Sequence, residues 1–519
     1  MKIKKIILIY PGKPFISVNA PPLGLLCLAG GIINKNYSVR IIDRSINKND
    51  ELLGDADLIG ISVMGQISEV KKICRKVRKK SVAAIILGGC LPSLDPEFFF
   101  KEIPEINYII RHEGDFAFSK LIDYLNGKRS IEEIENLCYL DSGKIINNPT
   151  KIVENLDLLP MPAFKLANLD AYIEMNKKFL KMTKRNPPLI FPLEISRSCP
   201  YQCKFCTARL ILGDKWRTKS PERAILELKE LFKIYPPDKY NLLISYVDNN
   251  FISSRKWINS FFELVKSEDL KFKWSCSSRV TDISREVLGK LKDIGLQGIL
   301  MGGESGSSEG LKNINKKIEL TDLEKAVKIC NELNINAVLT YMIGFPWESK
   351  DLMRKTLESA LNAFETNPKR MAIRLYKFAP QYTTDLWEEL VSKGLLDQKK
   401  KFFENFWINS GLVYKHPKIS ASEIDLLVAW FFLKYILLII KSGIKIYRDN
   451  PIYNLDDIEK RINSIVNIYL KNNPMYKKIE NVILKLKIFV KSVKSNNLEL
   501  NDIKKALINL DIKISSILD

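Results

Sequence analysis

Three cysteines carry the plainest chemistry in the chain. Cys199, Cys203 and Cys206 stand at a C-x3-C-x2-C spacing in Cys199-Pro200-Tyr201-Gln202-Cys203-Lys204-Phe205-Cys206. They follow residues 189–195, an apolar run that reads as a buried strand. Three thiolates on one short loop can each take one iron of a [4Fe–4S] cube, and the fourth iron then accepts an outside ligand. A structural zinc site wants four protein ligands, usually as two pairs, and no second pair lies nearby. Three free thiols on a loop, or half of a zinc site, are the competing readings.

Such a loop needs a frame. From about residue 188 the chain repeats strand then helix, with strands at 189–195, 242–247, 272–277, 298–301, 337–343 and 372–378. Ser220-Pro221 starts one helix, Ser as its N-cap and Pro at its first position. Thr321 to Glu324 reads as a capping box for another. Six such units are too few for an eight-fold barrel, and function on barrels gathers at the strand carboxyl ends. Those ends carry Asp248-Asn249-Asn250-Phe251, Arg279, Gly302-Gly303-Glu304-Ser305-Gly306 and Met342-Ile343-Gly344-Phe345-Pro346-Trp347-Glu348. A carboxylate such as Asp248 can accept hydrogen bonds from an ammonium; an Asx turn is the bland alternative. Arg279 can meet a carboxylate or pair on the surface.

Ahead of this lies a second alternating pattern. Strands at 6–10, 39–43, 58–63, 83–87 and 108–111 alternate with helices at 23–34, 69–80 and 116–125. This implies an α/β doubly wound, Rossmann-like parallel sheet, with any ligand off the strand carboxyl ends. Pro11-Gly12, Asp43, Ser62-Val63-Met64, Gly88-Gly89 and His112-Glu113-Gly114 stand there. Small residues at such ends let a large flat ligand reach the backbone; tight turns in an unliganded domain explain them equally well.

The expected domains are 1–150, a linker 151–187, the barrel 188–395 and a lysine-rich, mostly helical region 396–519. Leu159-Pro160-Met161-Pro162-Ala163-Phe164 and Asn186-Pro187-Pro188 are breakers in the linker. The apolar run 426–440 is interrupted by Lys434 and is too short to span a bilayer. It reads as a buried helix, with an interfacial membrane helix as the weaker alternative. Amphipathic helices follow beyond Pro451. The start of the chain, charged then apolar to Tyr10, has too short an apolar core for a leader and ends in Pro11-Gly12; we expect a strand there and a cytoplasmic protein.

Composition narrows the chemistry. Of 519 residues 46% are hydrophobic, enough for ordinary cores. Only His112 and His416 are histidines, which excludes most histidine-based zinc and triad chemistry. The nine cysteines form no disulfide-like framework; six of them fall in apolar patterns as buried thiols. A net charge of +21 is spread along the chain without an arginine-rich block, so nucleic acid stays a minor reading.

The cysteine loop, with Phe205 just before its third cysteine, resembles the signature of the radical S-adenosylmethionine (SAM) superfamily. The resemblance implies a SAM molecule on the open iron, cleaved to a 5′-deoxyadenosyl radical, on a partial (β/α)6 barrel. It implies Asp248 and Asn249 at the SAM amino group, Arg279 beside SAM, Glu304 and Ser305 at the ribose, and Gly344 and Pro346 at the adenine. Pro21-Pro22-Leu23-Gly24-Leu25-Leu26, the strand Val39-Arg40-Ile41-Ile42-Asp43, Ser62, Gly88-Gly89 and Glu113-Gly114-Asp115 look like the cobalamin-binding domain of B12-dependent radical SAM enzymes. Implied cobalamin contacts are Ser62, Met64, Gly88, Gly89, Glu113 and Gly114. The Asp-x-His-x-x-Gly motif that supplies a cobalt ligand in other B12 proteins is absent, so the implied cobalt has no histidine ligand.

The resemblance implies methyl transfer to an unactivated carbon or to phosphorus of a small-molecule substrate, with an external electron donor such as flavodoxin or ferredoxin. Cyclisation, rearrangement or oxidation with the same cofactors is the alternative, and a non-enzymatic iron–sulfur protein with a vestigial SAM site is the other. A methylthiotransferase would need three more cluster cysteines, and Cys27, Cys74 and Cys90 lie in separate elements.

Overall fold

The computed structural model describes every residue except 1, 13–19, 34, 48–49, 184–186, 397–413, 447–454, 472, 475, 495–499 and 519. Asn186 and Pro451 of the sequence readings, and the last residue of the helix expected at 23–34, therefore lie outside the described residues.

The N-terminal sheet comprises β1 (Lys5–Tyr10), β2 (Ser38–Asp43), β3 (Leu58–Ser62), β4 (Ala84–Gly88), β5 (Tyr108–Ile110), β6 (Leu137–Asp141) and β7 (Lys144–Asn147). Their order is β2-β1-β3-β4-β5-β6-β7, the first five parallel. Ile6, Leu8, Ile9, Leu58, Ile59, Ile61, Ile85 and Leu87 are buried, because helices cover both faces of a parallel sheet. The helix Ile67–Lys80 shows how they do so. Ile67, Val70, Ile73, Cys74 and Val77 bury one face, while Arg78, Lys79 and Lys80 meet the negative end of the helix dipole.

Two elements arise where neither strand nor helix is expected from the sequence. The strands β6 and β7 form an antiparallel hairpin on the edge of β5. Its two-residue turn, Ser142-Gly143, has φ of 49° and 80°, the twist that matches a hairpin. The strands are only five and four residues long and both faces mix apolar with polar residues, so no clear alternation marks them in the sequence. Asn148 anchors the hairpin by donating to the carbonyls of Ile131 (2.7 Å) and Ile134 (2.8 Å). The helix Leu169–Thr183 occupies much of the expected linker. Its buried Tyr172 donates to Asp43 at 2.6 Å, at the end of β2.

The second sheet comprises β8 (Leu189–Leu193), β11 (Leu242–Tyr246), β12 (Lys273–Ser278), β13 (Leu296–Glu304), β14 (Asn336–Ile343) and β15 (Met371–Lys377), with the short ribbon β9 (Ser196–Arg197) and β10 (Arg217–Thr218) beside it. The six strands lie in chain order and form the parallel sheet expected of a partial barrel. Ser220 caps the helix Pro221–Ile234 by accepting from Arg223 N–H at 3.1 Å, as the sequence predicts. The box expected at Thr321 and Glu324 instead lies two residues earlier. Glu319 caps the helix Leu320–Glu332 and Asp322 reaches back to it, because a carboxylate serves as acceptor at either position.

Two compact units result, divided at Ile299–Leu300 inside β13. The first holds Met1–Ile299 with Gln381–Glu388; the second holds Leu300–Pro380 and the C-terminal helices. Those helices are Ala421–Ile446, Leu455–Ile465 with the wider turn Val466–Leu470, Tyr476–Lys494 and Leu500–Ser515. The run 426–440 is buried almost all round, which makes its helix the centre of a bundle. Lys434, which interrupts it, bonds Asp511 and Ser515. Among the described residues no helix is long and apolar enough to cross a membrane.

Candidate active site

The cysteine loop is held from several sides. Ser198 takes φ of 69° and its hydroxyl donates to Gly213 C=O. Cys206 N–H closes a turn on Cys203 C=O at 3.1 Å, and Leu386 N–H reaches Lys204 C=O at 3.2 Å. The Arg279 guanidinium lies 3.8 Å over the Tyr201 ring and, through Nη1, 3.8 Å from Cys203 Sγ. Tyr201 in turn donates to Asp282 at 3.1 Å. Cys199 and Cys203 are half-buried and Cys206 is exposed. Among the described residues no three ligand side chains close on a single ion. Thiolates of a four-iron cube need not do so, since each binds its own iron.

Asp248 ends up over the approach to this loop. In β11, Leu242, Ile244 and Tyr246 point inward, and Val247 N–H continues the ladder to Leu193 C=O at 2.9 Å. The next residue then faces the chain after β8. Asp248 Oδ1 accepts from Ile195 N–H (3.1 Å), Ser196 N–H (2.5 Å) and the Ser196 hydroxyl (2.6 Å). Its Oδ2 is buried and has no hydrogen-bond partner. Burial, with Glu194 adding to it, pushes the carboxyl up to about 7 against the bonds from Ser196. Asn249 donates to Ser198 C=O at 3.4 Å. Asn250 accepts from Ser278 and Arg279 N–H and donates to Asp282, so it ties β11 to β12.

At the carboxyl ends of β3, β4 and β5 lies a cleft of about 330 Å³. Ser62, Gly88, Gly89, His112, Glu113 and Gly114 line it on one side, and Glu194, Arg197 and Val247 on the other. A Cβ on Gly24, also in the lining, would meet no atom within 4 Å. Gly89 takes φ of 104°, and a Cβ there would lie 2.6 Å from Val63 C=O. Met64 is 42% exposed and is not among the lining residues. His112 lines the cleft with Nδ1 3.1 Å from Ile211 C=O.

Glu113 does more than line that cleft. It is paired by Arg217 through both oxygens (2.8 and 3.1 Å) and accepts from Val153 N–H at 2.6 Å. Asp115 holds Arg197 through both of its oxygens, at 2.7 and 3.0 Å. All four side chains are nearly inaccessible to solvent. The ribbon β9–β10 carries both arginines, and Cys199 follows Arg197 by two residues. Two buried bidentate pairs therefore fix the cleft against the cysteine loop. Sequence reasoning missed Arg197 and Arg217; the available signal was a charged residue inside the mostly apolar approach to the cysteines.

Glu304, Ser305, Gly344 and Pro346 belong to the second unit. Glu304 ends β13 with φ of 63°, and its carboxylate meets Lys316 at 2.8 Å and the Thr340 hydroxyl at 3.3 Å. Ser305 is fully buried and bonds inward, to Ser307 N–H and the Thr356 hydroxyl, both at 3.3 Å. Gly344 takes φ of 89°, directly after β14. Glu348 folds back over this turn, with its carboxyl pushed up to about 7 by burial.

Comparison with known proteins fits this layout. A B12 binding domain model matches residues 16–122 and a radical SAM superfamily model matches residues 193–360. An uncharacterized methyltransferase of Pyrococcus horikoshii is 30% identical over 417 residues, spanning 76% of this chain and 85% of that protein. An anaerobic magnesium-protoporphyrin IX monomethyl ester cyclase of Synechocystis is 23% identical over 360 residues, spanning 66% and 69%. The solved cobalamin-dependent SAM radical enzyme OxsB, with aqua-cobalamin and SAM bound, shares the fold at a TM-score of 0.69 and 17% identity, covering 100% of this chain and 80% of that one. With a B12-binding sheet ahead of a radical SAM barrel, the chain belongs to the cobalamin-dependent radical SAM family.

Proposed function

We propose that the protein is a radical SAM methyltransferase that uses cobalamin to methylate an unactivated carbon, or phosphorus, of a small molecule. One observation carries the reading. The glycine-lined cleft of the B12-binding sheet opens against Glu194, Arg197 and Val247, residues that also frame the cysteine loop and Asp248. Cobalamin would be held there by residues, Arg197 among them, whose chain leads directly into the cysteine loop. When bound, a [4Fe–4S] cluster held by Cys199, Cys203 and Cys206 would supply one-electron reductive cleavage of SAM, and methylcobalamin would supply the methyl group.

The chain's own residues hold and orient. Cys199, Cys203 and Cys206 take three irons, one each. Arg279 places a positive charge and an N–H beside the Cys203 sulfur, which stabilises the more negative, reduced state of a cluster there. Asp248 Oδ2, buried and unpartnered, is placed to accept from the SAM ammonium. Asn249 steadies Ser198 at the root of the loop. Glu304 and Ser305 shape the ribose side, and Gly344 with Pro346 forms the adenine turn. Ser62, Gly88, Gly89 and Gly114 admit the corrin to the backbone, while Glu113 fixes the cleft through Arg217. An external one-electron donor of the flavodoxin or ferredoxin class would supply the electron.

Anaerobic incubation with reductant, cobalamin, trideuteromethyl-SAM and small-molecule extract tests the reading. Methyl transfer forms S-adenosylhomocysteine and 5′-deoxyadenosine together and yields a labelled product. The cyclase relative favours a second reading, in which 5′-deoxyadenosine forms without S-adenosylhomocysteine and no product carries the label. Absence of both nucleosides would leave only a non-catalytic iron–sulfur protein.

A further inference from the structure

The last ladder bond of β14 runs from Phe378 N–H to Ile343 C=O at 2.8 Å. Beyond it Gly344 and Phe345 leave the sheet, and their buried polar groups need other partners. Side chains reach all four, and the backbone N–H of Glu348 also donates to Phe345 C=O at 3.0 Å. Glu348 accepts from the N–H of Gly344 at 2.7 Å and of Phe345 at 2.9 Å. The Tyr414 hydroxyl donates to Gly344 C=O, and His416 Nε2 reaches Phe345 C=O at 2.9 Å. His416 Nδ1 accepts from the N–H of Lys418 (3.2 Å) and Ile419 (3.1 Å), so the proton sits on Nε2, which donates.

We infer that residues 414–416 form a strap that holds the adenine turn of the SAM site, with Tyr414 and His416 as positioning residues contributed by the C-terminal region. The inference rests on the reading of Gly344 to Glu348 as that turn. A glycine at φ of 89° is free to rotate its flanking peptides unless both are held. The Glu348 carboxylate holds the N–H side and its N–H shares Phe345 C=O with His416, while the Tyr414 hydroxyl of the strap holds Gly344 C=O. Ring packing keeps the strap in place: Phe345 stacks on Phe378 at 4.5 Å, and Phe378 meets Tyr414 edge-on at 5.9 Å. Tyr414 and His416 are buried, at 6% and 7% exposure, so water does not compete for these carbonyls. Burial lowers the His416 pKa, with Lys418 adding to it, and burial with the Glu348 carboxyl raises that of Tyr414; both keep the protonation the bonds need. The scarce histidine of the chain thus serves backbone positioning.

Full-length protein with its cluster reconstituted tests the strap through dissociation constants for SAM and for 5′-methylthioadenosine, which keeps the adenine and ribose but lacks the amino-acid half. His416→Asn retains an acceptor for Lys418 and Ile419 but cannot reach Phe345. It should weaken both ligands about three- to tenfold, the range for one buried hydrogen bond. His416→Gln, which can still donate to Phe345, should stay near wild type, and both variants should keep wild-type cluster absorption and unfolding midpoint. Tyr414→Phe, which keeps the ring and loses only the donor, should repeat the loss if His416→Asn fails to fold. Wild-type binding of 5′-methylthioadenosine by His416→Asn and Tyr414→Phe would overturn the strap, as would a loss confined to SAM. Gly344→Ala and Pro346→Ala separate the two levels. If these also leave 5′-methylthioadenosine binding unchanged, the adenine reading itself fails; if they weaken it while the strap variants do not, only the strap fails.

Discussion

Replacing Asp248 by Asn tests whether this carboxyl is a stored acceptor for a cation. The substitution preserves Oδ1 and its bonds from Ile195 and Ser196, and puts an amide where Oδ2 is buried without a partner. The folded carboxyl titrates at about 7, against 3.8 when unperturbed. Below the lower value the group is neutral in both states and burial carries no ionic penalty. As pH rises, the unfolded chain ionises first, so folding stability falls until the folded carboxyl also ionises near 7. At about 1.36 kcal/mol per unit, the gap amounts to about 4 kcal/mol. Of this, about 2.5–3 kcal/mol develops between about pH 5 and 8. Asn at this position has no such slope. Urea unfolding of wild type and Asp248→Asn across that window should therefore show the wild type losing about 2.5–3 kcal/mol relative to the variant. Glu348 and every other group are common to both and cancel. SAM binding supplies the second readout. An ammonium bound to Asp248 needs the ionised form, so below about pH 7 wild type releases a proton on binding, seen as a buffer-dependent heat. Asp248→Asn should lose that release along with affinity. A stability difference that stays flat across the window, or identical proton release in the two proteins, would refute the reasoning.

Three further outcomes are expected. Changing Cys199, Cys203 and Cys206 together to Ala should abolish the reconstituted cluster's absorption and all SAM cleavage; cleavage that survives would remove the cluster from the mechanism. Gly89→Ala should cost about 1–3 kcal/mol from its backbone conformation alone, φ of 104° with ψ of −169°, and the required shift of Val63 should weaken cobalamin uptake, measured by absorbance of the bound corrin. Glu113→Gln leaves Arg217 without its carboxylate and should destabilise the first unit by about 3–5 kcal/mol, whereas Glu113→Leu with Arg217→Met together should recover much of the loss; equal unfolding midpoints for wild type and Glu113→Gln would show the pair to be idle.

Local chemistry at fixed spacing was readable in the chain itself. The three cysteines need only a short loop to present three thiols, so their spacing carries the cluster reading without a fold. The alternation of apolar strands and amphipathic helices dictated both sheets, because burial on two faces leaves near-continuous apolar runs. The Ser220 cap was equally local. The two-residue shift of the Glu319 box shows the limit of such reading, since carboxylates and hydroxyls compete for one role within a single turn.

Long-range pairing was decided only by the tertiary structure. Glu113 reads as a cofactor contact from its strand end, yet its oxygens are held by Arg217, more than a hundred residues away in sequence. Asp248 reads as a free acceptor, yet one oxygen is bound by Ile195 and Ser196, and burial alone leaves the other available. His416 stands in the sequence only as one of two histidines, and only the fold brings it to the Phe345 carbonyl. A sequence states which groups exist and how they are spaced along a turn or strand. Which buried acceptor each donor must satisfy depends on what the folded chain removes from water, and that no local spacing encodes.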